Sequence, residues 1–240
     1  MSSPSLLTVV NPKTAKGEAA GYFTAILHLA PANVAGLGTV CPMATAGCKA
    51  MCLNTAGRGG IFKADAWTNT IQEARKRRTR LYFKNRAYFV EALAYDIGRH
   101  INAAQRLHLT PAIRINGTSD LPGLAREMAQ RFPNVQFYDY TKIPRPWERT
   151  LPNYHLTFSR SEHNWSGALS AAEQAMRHGV NVAVVFSTPR GRPLPSYFGR
   201  YLVIDGDKHD LRFLDPRGVV VGLRAKGRAR RDTSGFVVRV

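Results

Sequence analysis

The three cysteines of the chain, Cys41, Cys48 and Cys52, all lie in the short segment CPMATAGCKAMC. Six residues separate the first two and three separate the last two. An odd number of cysteines, in a chain whose first residues do not read as a secretory signal, disfavours a disulfide framework. Thiolates on a loop of small residues are ligands that iron–sulfur clusters and zinc both prefer. The spacing therefore predicts a metal centre.

The number of sulfur ligands separates the two kinds of metal centre. A structural zinc site normally has four protein ligands, but the chain has no fourth cysteine and the loop contains no histidine. His28 precedes the loop and reaches it only if the loop folds back. Three thiolates can hold a four-iron cube with one iron left open, so we expect a 4Fe–4S cluster on Cys41, Cys48 and Cys52. Zinc, and thiols that only pack within the fold, remain the alternatives.

Small and basic residues surround the cysteines. Glycines at six positions of the loop let backbone approach an inorganic core closely, and their N–H groups can donate to its sulfides. Lys49, Arg58 and Lys63 can offset the negative charge of a thiolate cluster. An ordinary flexible, basic loop would have the same composition.

The elements that must position this loop alternate between strands and helices. Residues 22–30 read as a buried strand, and the cysteine loop follows from about 31 to 60. Two helices are predicted at 63–83 and 85–106, a short one at 122–132 and another at 167–179. Strands are predicted at 111–120, 135–142, 154–162 and 181–188, with further strands in 201–226. This alternation predicts one α/β domain over residues 1–240 with a mostly parallel sheet, an N-terminal extension at 1–20 and a basic tail at 225–240.

Four of the predicted strands end in polar residues. The endings are NGTSD at 116–120, DYTK at 139–142, SRSE at 159–162 and ST at 187–188. In a barrel or an open α/β sheet, polar groups at the carboxyl ends of parallel strands mark the ligand face. Loops are polar in any case, but repetition over four strands favours a site.

The charge of the chain favours a polyanionic partner. Thirty-four Lys and Arg against 16 Asp and Glu give a net charge of +18, and nucleic acid is the first candidate partner, with DNA and RNA not distinguished. No apolar run reaches the roughly 20 residues that a membrane span needs, so we expect no membrane partner and a cytoplasmic location. A second basic cluster lies in the tail, at Arg224, Lys226, Arg228, Arg230 and Arg231. The predicted nucleic-acid-binding residues are Arg58, Arg75, Lys76, Arg77, Arg78, Arg80, Lys84 and Arg86.

Two resemblances rest on these motifs. A three-cysteine loop after the first strand, ahead of repeated βα units, resembles the radical SAM superfamily. The segments CPMATAGCKAMCLNTAGRG and GDKHDLRFLDPRGVVVGLRAKG resemble the phage family called gene product 88, a likeness that extends from about Tyr22 to Gly227. The first resemblance implies a partial TIM-like (β/α) barrel, a 4Fe–4S cluster and S-adenosylmethionine as a second cofactor. The second implies a phage protein, and so a location in the host cytoplasm, but no particular activity.

The resemblance to radical SAM enzymes also implies roles for the strand ends. Their cysteines are usually spaced by three and two residues, and a Gly-Gly-Glu-like motif ends their second strand; here the spacing is six and three, and the comparable ending is NGTSD. The residues implied in cofactor binding are Asn116, Thr118, Ser119, Asp120, Ser159 and Ser161. The residues implied as catalytic candidates are Tyr138, Asp139, Tyr140, Lys142 and Glu162. We therefore expect an iron–sulfur protein that binds or acts on nucleic acid, with an active radical SAM enzyme or a zinc-stapled nucleic-acid-binding module as the alternatives.

Overall fold

The computed structural model describes residues 5–9, 15–61, 69–165, 167 and 170–240. Several sequence predictions lie partly outside these residues. They concern the cation Lys63, the beginning of the helix at 63–83, part of the helix at 167–179 and part of the extension at 1–20.

The strands of the described residues form one sheet of nine. It runs in the order β1-β2-β3-β4-β5-β6-β9-β8-β7. All neighbours pair in parallel except the two outermost pairs, β1 with β2 and β7 with β8. The strands are β1 Leu7–Thr8, β2 Tyr22–Leu27, β3 Thr110–Arg114, β4 Gln136–Thr141, β5 Tyr154–Ser159, β6 Val182–Phe186, β7 Tyr197–Phe198, β8 Tyr201–Asp205 and β9 Val220–Arg224.

Within the described residues, six α-helices lie between the strands. They are α1 Ala15–Glu18, α2 Ala46–Ala50, α3 Thr70–Lys84, α4 Arg86–Arg106, α5 Pro122–Arg131 and α6 Ala171–Arg177. Shorter 3₁₀ helices occur at Leu53–Thr55, Gly57–Gly60, Pro146–Glu148, Arg212–Leu214 and Gly227–Arg231. No helix among the described residues is long and apolar enough to cross a membrane.

Local sequence signals explain where several helices begin and end. The side chain of Asn69 accepts hydrogen bonds from the first free N–H groups of α3, those of Ile71 and Gln72, and Ser170 caps α6 in the same way. Pro122 opens α5, where its missing N–H costs no helical hydrogen bond. Gly179, with φ of 72°, follows α6 in the left-handed conformation that glycine adopts easily.

The two faces of the sheet are covered differently. Phe89, Leu93 and Ile97 of α4 pack with α5 residues against Ile113 and Phe137 of the sheet, and all are fully buried. The opposite face carries a smaller apolar cluster, in which Tyr138 packs against Leu211 and Phe213 of the segment between β8 and β9. Helices α4 and α5 therefore lie over one face, while α1 and the protein's own residues 209–215 cover part of the other.

The prediction of a mostly parallel α/β sheet is confirmed. The described strands do not close into a barrel, because the sheet ends at the antiparallel edge strands β1 and β7. The fold is a mixed α/β structure built on an open nine-stranded sheet.

Candidate cysteine-lined site

The three cysteines line one cavity of about 270 Å³. Pro31, Ala32, Asn33, Val34, Ala44 and Lys49 complete its lining. All three thiols are free and partly exposed. The loop therefore brings together, around a common space, sulfur atoms that are up to eleven positions apart in the chain.

Short helices and hydrogen bonds give the loop its shape. The side chain of Thr45 caps α2 by accepting a hydrogen bond from the Cys48 N–H at 3.1 Å. Cys52 begins the 3₁₀ helix Leu53–Thr55. The sulfur of Cys41 accepts from the Ala32 N–H at 3.3 Å and donates to the carbonyl of Thr118 at 3.8 Å. Cys41 is thus tied both to the start of its own loop and to the end of β3.

Two of the three thiols, those of Cys41 and Cys52, are hard to ionise. Burial raises the pKa of Cys41 to about 11, and the neighbouring thiols and Asp120 add to the effect. Burial also raises the pKa of Cys52, although nearby Lys142 and Arg75 oppose the shift. A catalytic cysteine nucleophile requires a lowered pKa, so Cys41 and Cys52 do not have that character. A bound metal would stabilise their thiolate forms directly.

The described residues contain no group of three or more His, Cys, Asp or Glu side chains that could hold a metal ion. A single zinc ion draws thiolates to about 2.3 Å from one point. The three sulfur atoms of the described loop line one cavity without forming such a group, so neither a zinc site nor a cluster site is already assembled there.

Strand ends next to the cavity carry polar residues, as the sequence predicts. Asp120, after β3, is close enough to Cys41 for its charge to raise the pKa of that thiol. One carboxylate oxygen of Asp120 accepts from the Lys142 N–H at 2.8 Å, whereas Oδ1 is buried with no hydrogen-bond partner among the described residues. Burial raises the pKa of Asp120. Asp120 is therefore a buried carboxyl group with an unused acceptor beside a cysteine.

Lys142 and Glu162 extend the site to β4 and β5. The Nζ of Lys142 donates to the hydroxyl of Ser159 at 2.8 Å, and its charge lowers the pKa of Cys52. Glu162 accepts hydrogen bonds from the Thr45 hydroxyl and the Gly47 N–H, both at 2.8 Å. Burial alone would raise the pKa of Glu162, but its own backbone N–H, together with the Thr45 and Gly47 donors, holds the pKa below its usual value. Glu162 thereby fixes α2, and with it Cys48, to the end of β5.

Gly47 is needed for this close packing. A Cβ at Gly47 would lie 2.7 Å from Glu162 Oε1 and even closer to the hydroxyl of Ser234. The helix that carries Cys48 is therefore held between the end of β5 and the C-terminal segment of the chain.

Other predicted site residues support the fold around the cavity. Asn116 Oδ1 accepts from the Ser119 hydroxyl at 2.9 Å and from the Leu121 N–H at 2.8 Å, which shapes the turn after β3. Thr118 donates to the carbonyl of Leu29 at 2.5 Å. Ser161 is buried and its N–H donates to Asn164.

Asp139, Tyr138 and Tyr140 are not brought to the cysteines by any contact of the described residues. Asp139 is fully buried and accepts hydrogen bonds from the backbone and side-chain N–H groups of Asn116, at 2.6 and 2.9 Å, and from the Tyr154 hydroxyl at 3.3 Å. Burial raises the pKa of Asp139 to about 7. These contacts make Asp139 a bridge between three strands.

The two tyrosines lie on the face that residues 209–215 cover. Tyr138 packs edge-on against Phe213, and the guanidinium of Arg114 lies over the Tyr140 ring, 4.6 Å from its centre. Residues two apart on a strand share a face, so the alternation that places Tyr138 there also places Tyr140. Both rings pack within the protein.

A hydrogen-bond network that none of the sequence predictions includes holds the loop after Cys52. Arg75 of α3, predicted to contact nucleic acid, donates to the carbonyl of Asn54 at 2.9 Å and to its side-chain oxygen at 2.6 Å. Gln72 donates to the carbonyls of Asn54 and Gly59, both at 2.7 Å. The signal was present as a polar stripe at 69, 72, 75 and 79, whose helical spacing places these residues on one side of α3.

The remaining basic residues of the prediction fall into two groups. Arg78 donates to the carbonyl of Ser5, while Lys76 and Arg86 pair with Glu73 and Glu127 at 2.9 and 2.5 Å. The side chains of the second group are exposed: Arg58, Arg77, Arg80 and Lys84. Charge alone therefore did not separate loop-fixing cations from those available to a partner.

The fold and the site together define a class, namely α/β proteins that carry a cysteine-lined cavity at the carboxyl ends of parallel strands. Residues 5–240 match the family described as gene product 88. The chain belongs to this family. No curated protein and no solved structure matches the chain.

Proposed function

We propose that Cys41, Cys48 and Cys52 bind a 4Fe–4S cluster, in a protein that binds or acts on nucleic acid. The observation that carries the proposal is the single cavity that the three thiols line. The donors fit in kind, because thiolates are the usual ligands of such clusters. Lys142 and Arg75, whose charges act on Cys52, would offset the negative charge of the ligands.

Protein purified without oxygen tests this proposal directly. We expect brown protein with about four iron and four acid-labile sulfide atoms per chain, the content of one such cluster. C41S, C48S and C52S should each lose most of the iron, whereas M43L, at an exposed position of the same loop, should retain it. Colourless protein, or protein with one zinc and no iron, would overturn the proposal.

A second candidate function, radical SAM chemistry, is favoured by Asp120. The resemblance assigns the end of β3 to the group that holds the amine of S-adenosylmethionine, and Asp120 offers a buried, unpartnered oxygen there, beside Cys41. A cluster held by Cys41, Cys48 and Cys52 would, when reduced, supply the one electron needed to cleave S-adenosylmethionine to methionine and a 5′-deoxyadenosyl radical. In this reading Asp120 binds the amine, and Asn116 and Ser119 keep the turn around it in place.

Product analysis separates the two candidates. Reconstituted protein given dithionite and S-adenosylmethionine should release 5′-deoxyadenosine if the second function is correct. D120N should keep its iron and lose this product, while S187A, on a strand end that does not line the cysteine cavity, should keep both. If protein with an intact cluster forms no 5′-deoxyadenosine, radical SAM chemistry is rejected and the cluster-binding proposal stands.

A further inference from the structure

The basic tail docks against the cysteine loop. Ala225, Ala229 and Val237 form a small apolar cluster with Met51, the neighbour of Cys52. The 3₁₀ helix Gly227–Arg231 also contacts the 3₁₀ helix Leu53–Thr55, and a Cβ at Gly227 would lie 3.5 Å from that of Ala56. Two segments that are about 170 residues apart in the chain therefore share one surface.

This docking gathers four exposed arginines. Ala229 is buried, while Arg228, Arg230 and Arg231 on either side of it are exposed. Arg58 is exposed as well and lies two residues after Ala56. In a 3₁₀ helix, residues three apart lie on the same side, so Arg228 and Arg231 point in similar directions. We call Arg58, Arg228, Arg230 and Arg231 the arginine rim.

Carboxylates neutralise some arginines of the protein but not those of the rim. Arg131, Arg200 and Arg224 form ion pairs with glutamate or aspartate, whereas no rim residue forms one within the described part of the chain. The acid nearest in sequence to the tail arginines, Asp232, is buried and accepts hydrogen bonds from Ser234 and Val237. The charges of the rim are therefore left exposed, as are those of Arg77 and Arg80 in α3.

We propose that the arginine rim binds the phosphate backbone of nucleic acid alongside the cysteine cavity. The inference rests on the proposed function and names the surface that makes the contact. Guanidinium groups match phosphate oxygens in pairs. The described residues of the cysteine loop and the tail expose no large aromatic ring for base stacking, so binding should be insensitive to sequence and sensitive to salt.

An anionic membrane is the less favoured partner. Insertion of a helix into the membrane interface requires an outward apolar face. The 3₁₀ helix of the rim has only five residues, and its one apolar side chain, Ala229, packs into the protein.

Fluorescence anisotropy with labelled duplex DNA and single-stranded RNA of random sequence tests the rim. R228A/R230A/R231A should weaken binding at least about tenfold at low salt. It should also flatten the slope of log affinity against log salt by about 2 to 3 on duplex DNA, since each lost phosphate contact removes about 0.9. The matched control R131A/R177A/R200A removes the same charge from exposed residues that pair with Glu91 or Glu173, and should change affinity by less than about threefold.

Equal losses of affinity in both triple variants would mean that only net charge matters and would overturn the proposal. Wild-type affinity in R228A/R230A/R231A would also overturn it. Binding to phosphatidylserine vesicles without binding to either nucleic acid would overturn it too. R230E, checked by thermal melting, repeats the test with one exposed side chain. Iron content is measured on every sample to separate the two proposals. Binding that depends on the rim in protein without iron would reject the cluster and support the rim. Protein with a full complement of iron whose binding does not depend on the rim would support the cluster and reject the rim.

Discussion

Glu162 provides a sharp test of how the cysteine loop is held. Its carboxylate is largely buried and accepts two hydrogen bonds of 2.8 Å, from the Thr45 hydroxyl and the Gly47 N–H. A hydrogen bond to a charged group contributes roughly 1.5–3 kcal/mol, and context reduces the sum when two share one carboxylate. We therefore expect E162A to lower the free energy of unfolding by about 2–4 kcal/mol and to release iron from reconstituted protein faster than wild type.

Urea denaturation measures the first effect, and its midpoint should fall with little change in slope. E91A is the control, because Glu91 is exposed and pairs only with Arg131; it should cost no more than about 1 kcal/mol. The unfolding free energy of E162Q should lie between those of E162A and E91A, since the amide oxygen can accept from only one of the two donors.

The dependence on pH follows from the lowered pKa of Glu162. The ionised carboxylate stabilises the fold above its ordinary pKa, and this contribution is lost as the pH falls through the lowered value. The difference between wild type and E162A should therefore shrink in acid. A difference in unfolding free energy below about 0.5 kcal/mol at neutral pH would refute the claim that Glu162 fixes α2.

Three further predictions concern the surrounding structure. G47A should lower the unfolding free energy by about 1–3 kcal/mol because its Cβ meets Glu162. G98A, in open space within α4, should instead raise the unfolding free energy by up to about 1 kcal/mol. Urea titration measures both variants, and equal effects would contradict the close packing at Gly47. Since burial raises the pKa of Asp139 to about 7, the native state holds an extra proton between about pH 4 and 7, so stability should fall as pH rises through that window and D139N should lack this slope. R75A should lower the free energy of unfolding by about 1–3 kcal/mol, because it removes the hydrogen bonds of Arg75 to the loop. R77A, at an exposed position, should leave the melting temperature nearly unchanged. Equal losses of stability in thermal melting would mean that Arg75 does not hold the loop.

Much of the framework follows from local pattern. Alternating strand and helix signals predict the parallel order of β2 to β6, because consecutive βα units place successive strands side by side. The polar endings of β3, β4 and β5 predict that Asp120, Lys142 and Glu162 meet the cysteine loop, since the carboxyl ends of parallel strands share one edge.

The departures come from contacts between distant segments. Alternation indicates that Tyr138 and Tyr140 share a face, but not that residues 209–215 cover this face. The spacing of the arginines in α3 likewise does not reveal that Arg75 finds its acceptor at Asn54, which lies on a loop 21 positions earlier. Nor does a run of basic residues show which of them face carboxylates after folding.

The side of the sheet away from α4 and α5 carries the protein's own charges. Arg114 forms an ion pair of 2.9 Å with Asp210, and Arg212 is completely enclosed 3.3 Å from Asp215. Removing one member of an enclosed pair leaves the other charge buried without compensation, which is costly. The cysteine cavity lies elsewhere, among the loops at the carboxyl ends of the strands, so a ligand can reach the sulfur atoms without displacing these ion pairs.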